Sequence, residues 1–169
     1  MSCPDGDAAF LQDAENEVNS FVLQYRQEED VSGEDRGPAV SERIRNLSFS
    51  DQQKMAREGG QVERTALERV YGKAVWEALL QNPRVTVVEV ARISCKAGLP
   101  KILLDVILSN PSWLSNGQVR RGLLTNPRLG RDQVVKVLRA MPRHELKLAP
   151  KQSIYSAAVR EAARRLTAG

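Results

Sequence analysis

Apolar residues recur at helical steps in one block of this chain after another. Between positions 8 and 27, Leu11, Ala14, Val18, Phe21 and Tyr25 return every three or four residues. Wound as a helix they form one stripe, with Glu15, Glu17 and Asn19 off it. An isolated helix of this length is marginal in water, so the stripe needs a surface to lie against. Residues 28–46 are acidic, carry Gly33, Gly37 and Pro38, and read as a flexible linker. Order is predicted to resume at Leu47, where Ser50 and Gln53 fit a capping box opening a short helix that Gly59-Gly60 ends. Leu67, Val70, Tyr71, Ala74, Val75, Ala78 and Leu79 predict a helix over 63–80, weakened at Gly72.

Beyond that point proline divides the chain into short apolar segments at about 86–97, 100–109, 116–125, 131–141, 143–149 and 153–167. Val85-Thr86-Val87-Val88 has strand propensity. However, Val90, Ala91 and Ile93 continue it at helical spacing, and a lone strand would leave its amides unpaired. The segment is therefore predicted helical, and the fold class all-α.

A recurrence sets the expected architecture. Leu80-Gln81-Asn82-Pro83, Leu108-Ser109-Asn110-Pro111 and Leu124-Thr125-Asn126-Pro127 share one pattern. A shift of 44 residues places Asn82-Pro83-Arg84-Val85 on Asn126-Pro127-Arg128-Leu129, Glu89 on Gln133, Arg92 on Lys136 and Ile93 on Val137. That length is a HEAT or armadillo period. Proline disfavours α geometry in the residue before it, and asparagine tolerates a left-handed cap, so Asn-Pro should stop one helix and aim the next. Stacked units would bury a continuous stripe of Leu, Ile and Val, and the match fades beyond Met141 as in a terminal capping repeat.

With these Asn-Pro segments, the opening Leu47-Ser48-Phe49-Ser50-Asp51-Gln52-Gln53-Lys54 and the ending Ser156-Ala157-Ala158-Val159-Arg160-Glu161-Ala162-Ala163-Arg164-Arg165-Leu166, the chain resembles uncharacterised bacterial HEAT-like helical-repeat proteins over about residues 47–167. The resemblance implies an α-solenoid, a right-handed superhelix of short helix pairs, and assigns no catalytic set. The expected organisation is an acidic segment over 1–27, a linker over 28–46 and a HEAT-like helical-repeat domain over 47–169.

Composition narrows the chemistry. The 169 residues carry a net charge of +4, which conceals a split. Residues 1–35 hold ten carboxylates against Arg26 alone, a net −9, while residues 91–169 hold fifteen bases against four acids, a net +11. The only strong soft or imidazole ligands are Cys3, Cys95 and His144, with no metal-site spacing among them, so no metal and no cofactor are expected. Cys95 follows Arg92 and precedes Lys96, neighbours that would make a thiol reactive, although a small core residue is the plainer expectation. His144 beside Glu145 is too solitary for a triad, and Gly59-Gly60 lacks a phosphate-cradle context. No enzyme is expected. The chain has no apolar run of membrane-spanning length and its opening residues lack a leader, so a cytoplasmic location is expected.

Non-enzymatic binding remains. Arg92 and Lys96, Arg120 and Arg121, and Lys136 and Arg139 fall on successive helical segments, and equivalent positions in a solenoid align into a ridge. The expected function is a protein-interaction scaffold or adaptor, holding an acidic peptide or helix of another protein on a basic concave face. Trp113 is a candidate recognition aromatic there. Trp76, like Trp113, also suits a gap between helices. The acidic segment, through Leu11, Val18, Phe21 and Tyr25, would recruit a second protein or fold back over the ridge. The alternative is a nucleic-acid-binding protein using the basic C-terminal helices, against which stand few aromatics and no recognition motif.

Overall fold

A computed structural model of the chain describes residues 37–168. The acidic segment, with Leu11, Val18, Phe21 and Tyr25, and the first part of the expected linker lie outside the described residues. Regular structure among those described is entirely helical.

The first helix, α1 (Gly37–Arg45), occupies ground expected to be linker. Ile44 is buried and its carbonyl accepts a 2.6 Å hydrogen bond from the Tyr71 hydroxyl. One isoleucine and one distant tyrosine thus anchor a segment whose own composition is loop-like. Helix α2 (Phe49–Glu58) is capped by Ser48, two residues before the expected Ser50; the Ser48 hydroxyl accepts from the Asp51 amide at 3.2 Å. Ser50 lies inside the helix, and the Gln53 side chain donates instead to the Ala74 carbonyl.

The single helix expected over 63–80 is two. Helix α3 (Gln61–Tyr71) ends at Gly72, which turns left-handed at φ 48°, and a short 3-10 turn leads into α4 (Trp76–Leu80). Glycine adopts that geometry without the steric cost a Cβ would bring. Helix α5 (Val87–Ser94) takes in the second half of the β-branched segment, while Val85 precedes it and Thr86 is its extended N-cap: the Thr86 hydroxyl accepts from the Glu89 amide, and the Glu89 carboxylate accepts from the Thr86 amide at 2.7 Å, a full capping box. Then follow α6 (Lys101–Ser109), the single turn α7 (Pro111–Leu114), α8 (Gly117–Thr125), α9 (Arg131–Arg139), α10 (Arg143–Leu148) and α11 (Ala157–Ala168).

Three stretches, called units below, follow one another, α2–α4, α5–α8 and α9–α11, so that each holds three or four helices rather than the expected pair. Helix α2 packs on α4, α5 on α8 and α9 on α11, the first and last helices of each unit, and α6 also packs on α9 of the next unit. The asparagines that the sequence reads as left-handed caps explain the closure. Asn82 is buried; its amide donates to the carbonyls of Ala56 (2.9 Å) and Gly59 (3.1 Å) at the end of α2, and its oxygen accepts from the Arg84 amide. Forty-four residues on, Asn126 donates to Ser94 (2.8 Å) and Lys96 (3.0 Å) at the end of α5 and accepts from Arg128. Asn126 itself is extended, as the following proline requires. Asn82 thus clips the end of α4 to the end of α2 and Asn126 the end of α8 to the end of α5, each satisfying two carbonyls that the earlier helix leaves open. Asn110 shares the motif but not the role: it is half-buried and caps α7 through the Ser112 and Trp113 amides.

Candidate functional site

Adjacent units meet across hydrogen-bonded and ionic joints that decide which charges are free. Arg64 on α3 forms two 2.9 Å bonds to Glu89 on α5, both side chains almost wholly buried, and also donates to the Gly59 carbonyl. Burial pushes the Glu89 carboxyl up, but hydrogen bonds from Arg64 and Thr86 outweigh it and hold the group below the usual carboxylate range. The equivalent joint between the next two units is Asp105 on α6 with Gln133 on α9, an exposed contact.

These joints remove two members of the expected basic ridge. Arg92 is bound to Glu68 on α3, and Arg120 is buried, held by Glu145 on α10 and by the Leu114 and Ser115 carbonyls. Arg120 and Arg121 adjoin in sequence, yet only Arg120 turns inward; Arg121 stays half-buried, its charge felt by the phenol of Tyr155. Lys96 is half-buried, while Lys136 and Arg139 are exposed on α9. The six bases therefore divide between internal joints and surface. Trp113 is half-buried against the core, and Trp76 is buried with the Gly98 backbone beside its ring.

Cys95 is held away from reactivity. Its thiol donates to the Ala91 carbonyl, and burial pushes its pKa above the ordinary thiol value. His144 is exposed, and its neighbour Glu145 is committed to Arg120. Among the described residues no three His, Cys, Asp or Glu side chains gather where they could hold a metal ion. No helix among them is long and apolar enough to cross a membrane.

Two basic residues without a partner, Arg131 and Arg139, lie together on a feature that sequence reasoning missed. Between α9 and α11, floored by the α8–α9 turn, lies a groove of about 990 Å³. Its walls include Val134, Val135, Ile154, Val159, Ala162 and Leu166. Arg131 and Arg139 line it from α9; both are exposed, and neither has a hydrogen-bond or ion-pair partner among the described residues. Arg165 and Glu161 also line it and are paired with each other. Tyr155 lies in the floor, where burial pushes its phenol up to about 12. Such a volume lies within the range of ligand clefts, and an apolar trough flanked by uncompensated arginines suits an amphipathic, acidic occupant.

One signal of the groove is present in the sequence. The 44-residue shift places Ala91 on Val135 and Gly122 on Leu166. In the middle unit Ala91 and Gly122 meet: a Cβ on Gly122 would overlap the Ser94 hydroxyl and lie 2.9 Å from the Ala91 carbonyl and the Cys95 sulfur. In the last unit the larger pair Val135 and Leu166 lines open space. Comparison of the chain with protein families, curated proteins and solved structures gives no match.

Proposed function

We propose that the chain is a cytosolic, non-enzymatic adaptor, a HEAT- or armadillo-like α-solenoid of three- or four-helix units that holds an acidic amphipathic helix of another protein in the α9–α11 groove. The observation that carries this reading is the pairing of an apolar trough with Arg131 and Arg139, two arginines that nothing in the described residues neutralises. A helix laid there would place its apolar stripe on Val135, Ala162 and Leu166 and its carboxylates on the arginines, a helix-in-groove mode of recognition. The basic face is thus narrower than the ridge expected from sequence, because Arg92 and Arg120 already hold the units together. A repeat stack suits this task, since its core supplies rigidity and its end unit can leave one seam unfilled.

The test is a fluorescence-anisotropy titration of the full chain with a labelled 18-residue peptide designed as a Leu/Glu amphipathic helix. Saturable binding is expected, weakened at least tenfold by Arg131→Glu with Arg139→Glu and falling with salt. Binding that the double substitution leaves unchanged refutes the groove as the site. A random-sequence DNA duplex that binds more tightly than the peptide at the same salt would favour the nucleic-acid alternative instead.

A further inference from the structure

Nothing in the described residues fills the α9–α11 groove, yet the same chain carries a sequence with the matching pattern. Leu11, Val18, Phe21 and Tyr25 fall on one face at helical spacing, and residues 1–35 bear a net charge of −9. Residues 28–36 alone separate that stretch from α1. We propose that residues 8–27 are the resident occupant of the groove, with that apolar stripe on its walls and the acidic side chains towards Arg131 and Arg139. This inference rests on the reading of the groove given above and names its first ligand.

Three observations support this choice of occupant. Charge is complementary, because Arg131 and Arg139 are unpaired, residues 8–27 carry Asp13, Glu15 and Glu17 against Arg26, and residues 28–35 add five carboxylates and no base. Length also matches: the stripe from Leu11 to Tyr25 covers about 21 Å as a helix, against about 18 Å for the twelve residues of α11. Lastly, the connection is covalent. Nine residues span at most roughly 30 Å when extended, and the covalent link makes docking on the same chain an intramolecular event. A partner helix must then displace the resident one, so the acidic segment sets the threshold for binding rather than merely shielding charge.

The decisive comparison uses two forms of the full chain, native and Val18→Glu with Phe21→Glu, which breaks the stripe. A labelled peptide of residues 8–27 is titrated into each. The expected result is an affinity at least tenfold higher for the substituted chain, lost when Val135→Glu is added, with helical content and thermal midpoint lowered no further than release of residues 8–27 accounts for and cooperative unfolding kept in both chains. Equal, groove-dependent affinity in both chains overturns the resident occupant and leaves the groove reading standing. Absence of binding to the substituted chain also overturns it, and the Leu/Glu peptide, titrated into that same chain, then decides the groove reading on its own. If that peptide binds there in a Val135-dependent manner the groove survives; if it does not, both readings fall.

Discussion

The middle and last units share a framework and differ in one seam. In the middle unit, α5 and α8 approach until Gly122 has no room for a methyl group against Ser94, Ala91 and Cys95. In the last unit, α9 and α11 hold a groove of about 990 Å³ between them. The framework residues correspond: Val90 and Val134 are both buried, as are Val119 and Ala163. What changes is the facing pair, Ala91 and Gly122 in one unit, Val135 and Leu166 in the other. Small side chains let helix backbones close together, whereas branched ones at the same positions stand them apart unless something fills the gap. The difference teaches that two stretches related by the 44-residue shift can enclose either a sealed seam or an open groove, according to the side chains that face across it.

The joints between units extend the contrast and give the largest expected effect. Arg64→Met should destabilise the chain by about 3–5 kcal/mol in denaturant unfolding, because it leaves the Glu89 carboxylate buried without its cation. The matching substitution at the second joint, Asp105→Ala, removes an exposed contact to Gln133 and should cost less than about 1 kcal/mol. Similar losses for the two would show that the joints are equivalent and would break the comparison.

Next comes alkaline pH, which probes the floor of the open unit. Tyr155 is 4% exposed, and burial raises its pKa from 10.0 to about 12. The neutral phenol is the form the fold favours, so its contribution is complete below pH 10. It declines as the pH rises from 10 through about 12 and totals roughly 2–3 kcal/mol. Tyr155→Phe should flatten that part of the stability profile. An unchanged slope would place the tyrosine's ionisation in an environment no drier than the unfolded chain.

The smallest effect is the sharpest discriminator of the two seams. Gly122→Ala adds one methyl group to the sealed joint and should cost roughly 1–3 kcal/mol. Ala162→Leu, made in the chain whose stripe is broken by Val18→Glu with Phe21→Glu, adds three carbons to the groove wall and should change stability by about 0.5 kcal/mol or less, because open space receives them. Equal destabilisation by both would mean that the last seam is as closed as the middle one.

Much of the framework is legible in the residue pattern. Prolines, glycines and caps at Gly59, Pro100, Asn116 and Pro142 mark helix ends because they act through the local backbone, and the segments expected over 100–109 and 116–125 match α6 and α8 almost residue for residue. The 44-residue recurrence likewise reflects a repeated local instruction. Less legible were α1, which owes its burial to Ile44 and the distant Tyr71, and the clips at Asn82 and Asn126, whose partners lie 23–32 residues away. The ridge failed as a single surface for the same reason. Nothing near Arg120 and Arg121 says which of them will find Glu145, 25 residues on.

The sequence by itself determined the helical class, most helix limits, the spacing of the units and the opposition of acidic and basic ends, because each arises from neighbours along the chain or from composition. Only the tertiary structure decided that Asn82 and Asn126 clip helix ends together, that Arg92 and Arg120 are spent in joints between units, and that one seam seals while another leaves a groove. Those outcomes depend on which side chains meet across distant segments, and meeting is fixed by packing in space, where a single methyl group or an unmatched charge outweighs any local preference.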